Sequence, residues 1–214
     1  MPTIRKSPSL ETKKQPAQQR AADTYERILE VTARTLADVG VERLSTNLVC
    51  ERAGLTPPAL YRYFPNKYAL LSELGQRLMQ AQNERIGDWI SVEVLGGTVD
   101  EVAAALEGLI LATWRVTAQA EGGVWVMRAL RAVPALQQVR LDSHAAVTEA
   151  QAQLLGAALP DADPAELRLV SRIVVELIYA TVEMLCDEKL DAQAVARTVA
   201  GMLASHLEKL RPLK

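Results

Sequence analysis

Aromatic residues are scarce in this 214-residue chain: one Phe, three Trp and five Tyr, 4% of the whole, although 49% is apolar. A core drawn mainly from Ala and Leu, without the alternation of β-branched residues that marks half-buried strands, points to an all-α protein. Cysteine is rarer still. Cys50 and Cys186 lie far apart in no metal-ligand or redox spacing, and each reads as a small buried hydrophobe. His144 and His206 stand away from any cysteine or acidic cluster, so no metal site is expected and both read as helix-surface or flanking residues. No run approaches the roughly 18 uncharged apolar residues of a membrane span. The polar, basic N-terminus has no apolar segment of a secretory signal, and a cytoplasmic location is expected. There is no GxSxG, P-loop or HExxH pattern, so neither an enzyme nor a cofactor is expected.

The net charge of −2 argues by itself against a polyanion partner, but its distribution argues the other way. Through residue 70 there are 11 Lys or Arg against 7 Asp or Glu, a balance of +4; the remainder carries 13 against 19, a balance of −6. A basic head on an acidic body meets phosphate with one end and keeps the rest away from it.

The head contains the stretch that organises the chain, residues 45–71. Ser45 is placed to cap a short helix whose Leu48, Val49 and Ala53 face inward, and Gly54 supplies the positive φ that ends it. Thr56 is placed to cap a second helix, with its side-chain oxygen taking the N–H of Ala59. Pro65 keeps that helix short, and Asn66 opens the next. Two brief helices around a Gly-containing turn form a helix-turn-helix, whose second helix suits a DNA major groove. A preceding helix over about 21–39, with Ile28, Val31, Leu36 and Val39 at helical spacing and Gly40 at its end, is expected to brace this unit.

The residues Thr46, Val49, Cys50, Ala53-Gly54-Leu55-Thr56, Leu60-Tyr61-Arg62-Tyr63-Phe64, Asn66-Lys67 and Leu70-Leu71 closely resemble the DNA-binding signature of the tetracycline-repressor (TetR) family. The resemblance is strong over about residues 20–75. It implies a transcriptional regulator, most simply a repressor, acting as a homodimer on double-stranded operator DNA, with a small-molecule pocket in a divergent C-terminal domain. It also places Thr46, Thr56, Tyr61 and Lys67 on backbone phosphates. Arg62, the one long donor in the recognition helix, suits bidentate reading of guanine. Pro57 and Pro58 stand where relatives commonly have Lys-Gly, so the N–H groups and the charge that bind phosphate there are replaced by two apolar rings beside Ala59, suited to thymine methyls. Phe64, Leu60 and Ala53 read as core.

The expected organisation is a disordered basic arm over 1–19, a DNA-binding domain over 20–67 and an effector-binding and dimerisation domain over 68–214, with about nine helices in all. Helix 4 runs from Lys67 towards Trp89. Further helices follow over about 99–119, near Trp125, over about 134–159, and as a hairpin over about 164–187 and 191–210. Val195, Val199, Gly201, Met202 and Ala204, on a helix rich in small residues, are candidates for a four-helix interface between two copies. Trp89, Trp114, Trp125, Met127, Arg128, Tyr179 and Met184 are candidates for an effector cavity, although aromatic and Met stripes are more often plain core. Arg172, Glu176, Tyr179 and Glu183 form a polar stripe that fits either a solvated face or an acidic lining. Two functions fit: a regulator released by an apolar or amphipathic small molecule, and a DNA- or protein-binding module of the same fold with no effector.

Overall fold

Helical periodicity dominates the chain, and in the computed structural model, which describes residues 8–13 and 19–211, every regular element among the described residues is helical. Ten α-helices follow in order: α1 (Gln19–Arg43), α2 (Thr46–Ala53), α3 (Pro57–Tyr61), α4 (Lys67–Asn83), α5 (Val92–Gly96), α6 (Val99–Gln119), α7 (Gly123–Ala132), α8 (Gln137–Ala158), α9 (Pro164–Asp187) and α10 (Ala192–Glu208). The helix beyond the expected nine is α5, a single turn capped by the Ser91 hydroxyl, which accepts from the Val94 N–H at 3.3 Å. Three boundaries differ from expectation. The α1 segment continues to Arg43 across a break at Gly40, where φ 73 and ψ 173 interrupt the helix for one residue. Helix α4 stops at Asn83 and gives way to a 3-10 turn, Ile86–Asp88, before Trp89. Pro134 starts a second 3-10 turn, Pro134–Leu136, so α8 begins only at Gln137.

The chain divides into two compact units, the first comprising residues 1–78 and 120–140, the second residues 79–119 and 141–214. In the first, α1 buries Tyr25, Ile28, Leu29, Ala33 and Leu36 against its neighbours. The Tyr25 ring meets Tyr63 edge-on at 5.8 Å and lies tilted on Phe64 at 4.8 Å. Phe64 is fully buried, as Pro65 beside it suggested. Helix α7 packs on α1, its N-terminus admitted by Gly122 at φ 67.

In the second unit α6 is the central helix, burying Val102, Leu106, Leu109, Ile110, Thr113 and Thr117 at helical spacing. Its main partner is α10 of the same chain. Ala196, Ala200 and Ala204, one turn apart and buried, form the small-residue face of α10, which lets two helix backbones approach closely. Small residues anticipated at a boundary between copies therefore serve packing within one copy.

Candidate functional site

The helix-turn-helix is held by backbone chemistry that the sequence foreshadowed, with one exception. Ser45 caps α2 by accepting from the Leu48 N–H at 3.2 Å, and Gly54 ends it at φ 61, ψ 38. The Leu55 N–H then donates to the Cys50 carbonyl at 2.9 Å, closing the turn. Cys50 is buried, and burial pushes its thiol up. The exception is Thr56. Its hydroxyl makes no capping bond; the Ala59 N–H donates instead to the Thr56 backbone carbonyl at 2.9 Å. Pro57 and Pro58 remove the first two N–H groups, the tight 3-10-type bond takes the third, and no donor is left for the side chain. The helix starts at Pro57 itself.

Leu60, fully buried, anchors α3, while Thr56, Pro57, Pro58, Tyr61 and Arg62 are exposed and Ala59 is half-buried. Arg62 follows the last residue of α3, its guanidinium 5.9 Å from the centre of the Tyr63 ring. The hydroxyls of Thr46 and Tyr61 are 2.9 Å apart and share a hydrogen bond that ties α2 to α3. Beside them lies an open hollow whose lining includes Glu42, Arg43, Ser45, Thr46, Tyr61 and Lys67. The Lys67 ammonium is already engaged: it donates to the carbonyls of Val41 and Leu44, both at 3.1 Å. An ammonium has three donors, so one remains for a ligand in the hollow.

Part of the expected disordered arm is ordered against this unit. The Lys13 N–H donates to the Tyr63 carbonyl at 2.7 Å, and the Asn66 side-chain amide donates to the Ser9 carbonyl at 2.9 Å. Residues 1–7 and 14–18, with Arg5, Lys6 and Lys14, lie outside the described residues. Asn66 also caps α4, its oxygen accepting from Tyr68 and Ala69 at 2.9 and 3.0 Å. One amide thus holds the arm and the start of α4 together. Asn66→Ala is expected to lower stability by about 0.5–2 kcal/mol, the range of a lost N-cap, read as a lower urea midpoint at unchanged slope.

The second unit contains a cavity of about 20 Å³, room for roughly one water molecule. Its polar wall is Gln82, Thr113, Gln151 and Tyr179; its apolar wall is Ile86, Leu109, Val147, Val175 and Ile178. Tyr179 is the one expected effector residue on this wall. Trp125, Met127 and Arg128 belong to the first unit, where the Arg128 guanidinium lies 4.8 Å above the Trp125 ring. Trp89 packs on Gly108, Trp114 rests against the core, and Met184 is half-buried. Aromatic residues drew attention in the sequence, whereas Gln82, Thr113 and Gln151, lone polar residues in helical runs, gave no periodic signal.

Next to the cavity, His144 corrects a second expectation. It is not a surface residue but fully buried, stacked on Tyr179 with ring centres 4.4 Å apart. Its Nδ1 donates to Glu176 at 2.8 Å, and Arg172 donates to the same carboxylate at 2.6 Å. Burial pushes the Glu176 carboxyl up, but the bonds from His144 and Arg172 outweigh this and hold it down to about 2. Of the stripe Arg172, Glu176, Tyr179 and Glu183, Tyr179 is buried, the paired Arg172 and Glu176 side chains remain 37 and 34% exposed, and Glu183 is half-buried. The Tyr179 hydroxyl donates to Asn83 at 2.9 Å, and Asn83 donates to Ser143 at 3.1 Å.

Of the interface candidates, Ala204 faces its own core, Val195 and Val199 are half-buried, Gly201 has open space around it, and Met202 is exposed. The other large apolar residues exposed in this unit are Trp89, Leu190 and, on α9, Leu169, Ile173 and Leu177; the last three recur every fourth residue and so share one helix face. No helix is long and apolar enough to cross a membrane, and no group of three or more His, Cys, Asp or Glu suited to a metal occurs, among the described residues.

Residues 28–74 match the family model for bacterial regulatory proteins of the tetR family. A stretch of 54 residues is 41% identical to the class C tetracycline repressor protein of Escherichia coli, spanning 25% of this chain and 25% of that relative. Among solved structures, a TetR-family transcriptional regulator from Streptomyces coelicolor superimposes with a TM-score of 0.58 at 23% identity, over 87% of this chain and 99% of the other. The fatty acid degradation regulator FadR from Bacillus halodurans does so with 0.62 at 19% identity, over 90% and 97%. A TetR protein from Acinetobacter baumannii in complex with minocycline gives 0.57 at 19% identity, over 88% and 98%. These three share the fold.

Proposed function

We propose that this chain, whose residues 28–74 match the family model for bacterial regulatory proteins of the tetR family, is a cytoplasmic repressor that binds a palindromic operator as a homodimer and is released by a small apolar or amphipathic effector. In this reading residues 20–67 bind DNA and residues 68–214 bind the effector and the second copy. The observation that carries it is the exposed face of α3. Thr56, Pro57, Pro58, Tyr61 and Arg62 stand in solvent on a helix anchored by the buried Leu60. Side chains fixed in this way lose little freedom on meeting a base or phosphate. Thr56, whose hydroxyl makes no cap, and the Thr46, Tyr61 and Lys67 hollow suit phosphate oxygens, while Arg62 suits a base edge.

Arg62→Ala is expected to cost about 1–3 kcal/mol in operator affinity and to relax preference at one base position. Lys67→Ala is expected to weaken every duplex alike and to lower the salt slope by about one charge. Equilibrium binding across a salt series checks both, and unchanged affinity in both variants sinks the assignment.

A second reading, a DNA-binding module with no effector, is favoured by one observation: the cavity has room for roughly one water. Under that reading no small molecule changes operator affinity. Under the first, an effector binds an opened form better than the closed one and so shifts the population.

A further inference from the structure

Gln151 stands on α8 with 7% of its surface exposed and borders the cavity. It has no hydrogen-bond partner among the described residues. Donors of its polar neighbours on the same wall are taken: the Thr113 hydroxyl donates to the Leu109 carbonyl at 2.9 Å, the Gln82 Nε2 to the Thr117 hydroxyl at 2.7 Å, and the Tyr179 hydroxyl to Asn83 at 2.9 Å. No atom of the Gln151 amide is among the polar atoms sealed from solvent without a partner, so a water-sized molecule still reaches the amide, whose hydrogen-bonding capacity no side chain or backbone group takes up. Gln151 thus offers two donors and an acceptor beside a space that no protein group fills. The nine lining residues include no charged side chain, so an ion placed there would lose its hydration with no opposite charge on the wall.

We propose that Gln151 is the residue that recognises the effector of this chain, and that the effector is an uncharged molecule with an apolar body and a carbonyl, amide or hydroxyl group that pairs with the Gln151 carboxamide. This rests on reading the second unit as the effector-binding part. The five aliphatic residues take the body, and the amide sets its orientation. Because the cavity has room for one water, the wall spreads on binding, and the ligand's affinity includes the cost of that opening.

Thermal unfolding of the full chain with benzamide, benzoate, benzylammonium or toluene at equal millimolar concentration separates the possibilities, since the four share a ring and differ in charge and hydrogen bonding. Benzamide is expected to raise the Tm of the wild type by roughly 2–4 °C, and the two ions to leave it unchanged. Gln151→Leu, tested without any probe, is expected to be at least as stable as the wild type, because leucine fills the volume without an amide to desolvate; it is also expected to lose the benzamide response.

The proposal is overturned by no response to benzamide, by equal responses to benzamide in both proteins, or by an ion or toluene matching benzamide in the wild type. It is equally overturned if Gln151→Leu melts lower than the wild type, which means that a buried water already satisfies the amide. None of these arms uses DNA. A benzamide shift that vanishes in Gln151→Leu, together with operator affinity that benzamide does not change, supports this inference and counts against effector release.

Discussion

Glutamate at Leu169, Ile173 and Leu177 is expected to turn a dimer into a monomer and to abolish operator binding. The three side chains are 60, 48 and 43% exposed, and Met202 in the same unit is 69% exposed. A monomeric surface has little reason to keep large apolar residues on one helix face. Burying each is worth about 1.5–3 kcal/mol, and a two-fold axis uses every one twice. Three charges per copy would therefore weaken association by well over about 1,000-fold, given that each 1.4 kcal/mol is tenfold. Operator affinity should fall with it, since paired half-sites need paired readers. Sedimentation of the variant and the wild type at micromolar concentration reads the result. The melting of the monomer should be little affected by substitutions that touch no core residue. A wild type that sediments as a monomer refutes the dimer outright.

Gly122→Ala is expected to cost about 2–6 kcal/mol of stability. Gly122 sits at φ 67, and a Cβ there would lie 2.6 Å from the Ala33 carbonyl oxygen, a backbone atom of α1 that cannot rotate away. A left-handed conformation costs a non-glycine residue of order 1–3 kcal/mol, and forced contact in a packed core adds a similar amount. Gly201→Ala is the matching control: it lies inside α10 with nothing within 4 Å of its would-be Cβ. There alanine should stabilise by about 0.4–1 kcal/mol. Urea unfolding of the two variants beside the wild type checks both signs, and equal stabilities would contradict the packing of α7 on α1.

Where the chain signals itself by punctuation, the sequence was legible. Ser45, Gly54, Pro65 and Asn66 mark the ends of α2, α3 and α4 through capping and φ constraints that act within a few residues, and the structure keeps each of them. Periodicity likewise revealed α6, α9 and α10. What it could not reveal is which face meets which neighbour. The alanines of α10 looked suited to a second copy, yet α6 of the same chain takes them, and the solvent-facing stripe lies on α9. Nor does local pattern show that α7 belongs with α1, since some 80 residues separate them. His144 and Gln151 were illegible for a related reason: a lone polar residue in a helical run has the same pattern whether it faces water or a cavity. Thr56 misled because the preference for threonine at a cap assumes free N–H groups, and two prolines remove them.

The central claim, sequence-specific recognition of paired half-sites, is tested most directly by letting the purified full chain select duplexes from a randomised pool and sequencing what it retains. The account predicts enrichment of an inverted repeat, with the preference at one position of each half-site lost when Arg62→Ala replaces the wild type. Retention without any shared sequence, or of a single unrepeated half-site, would contradict it.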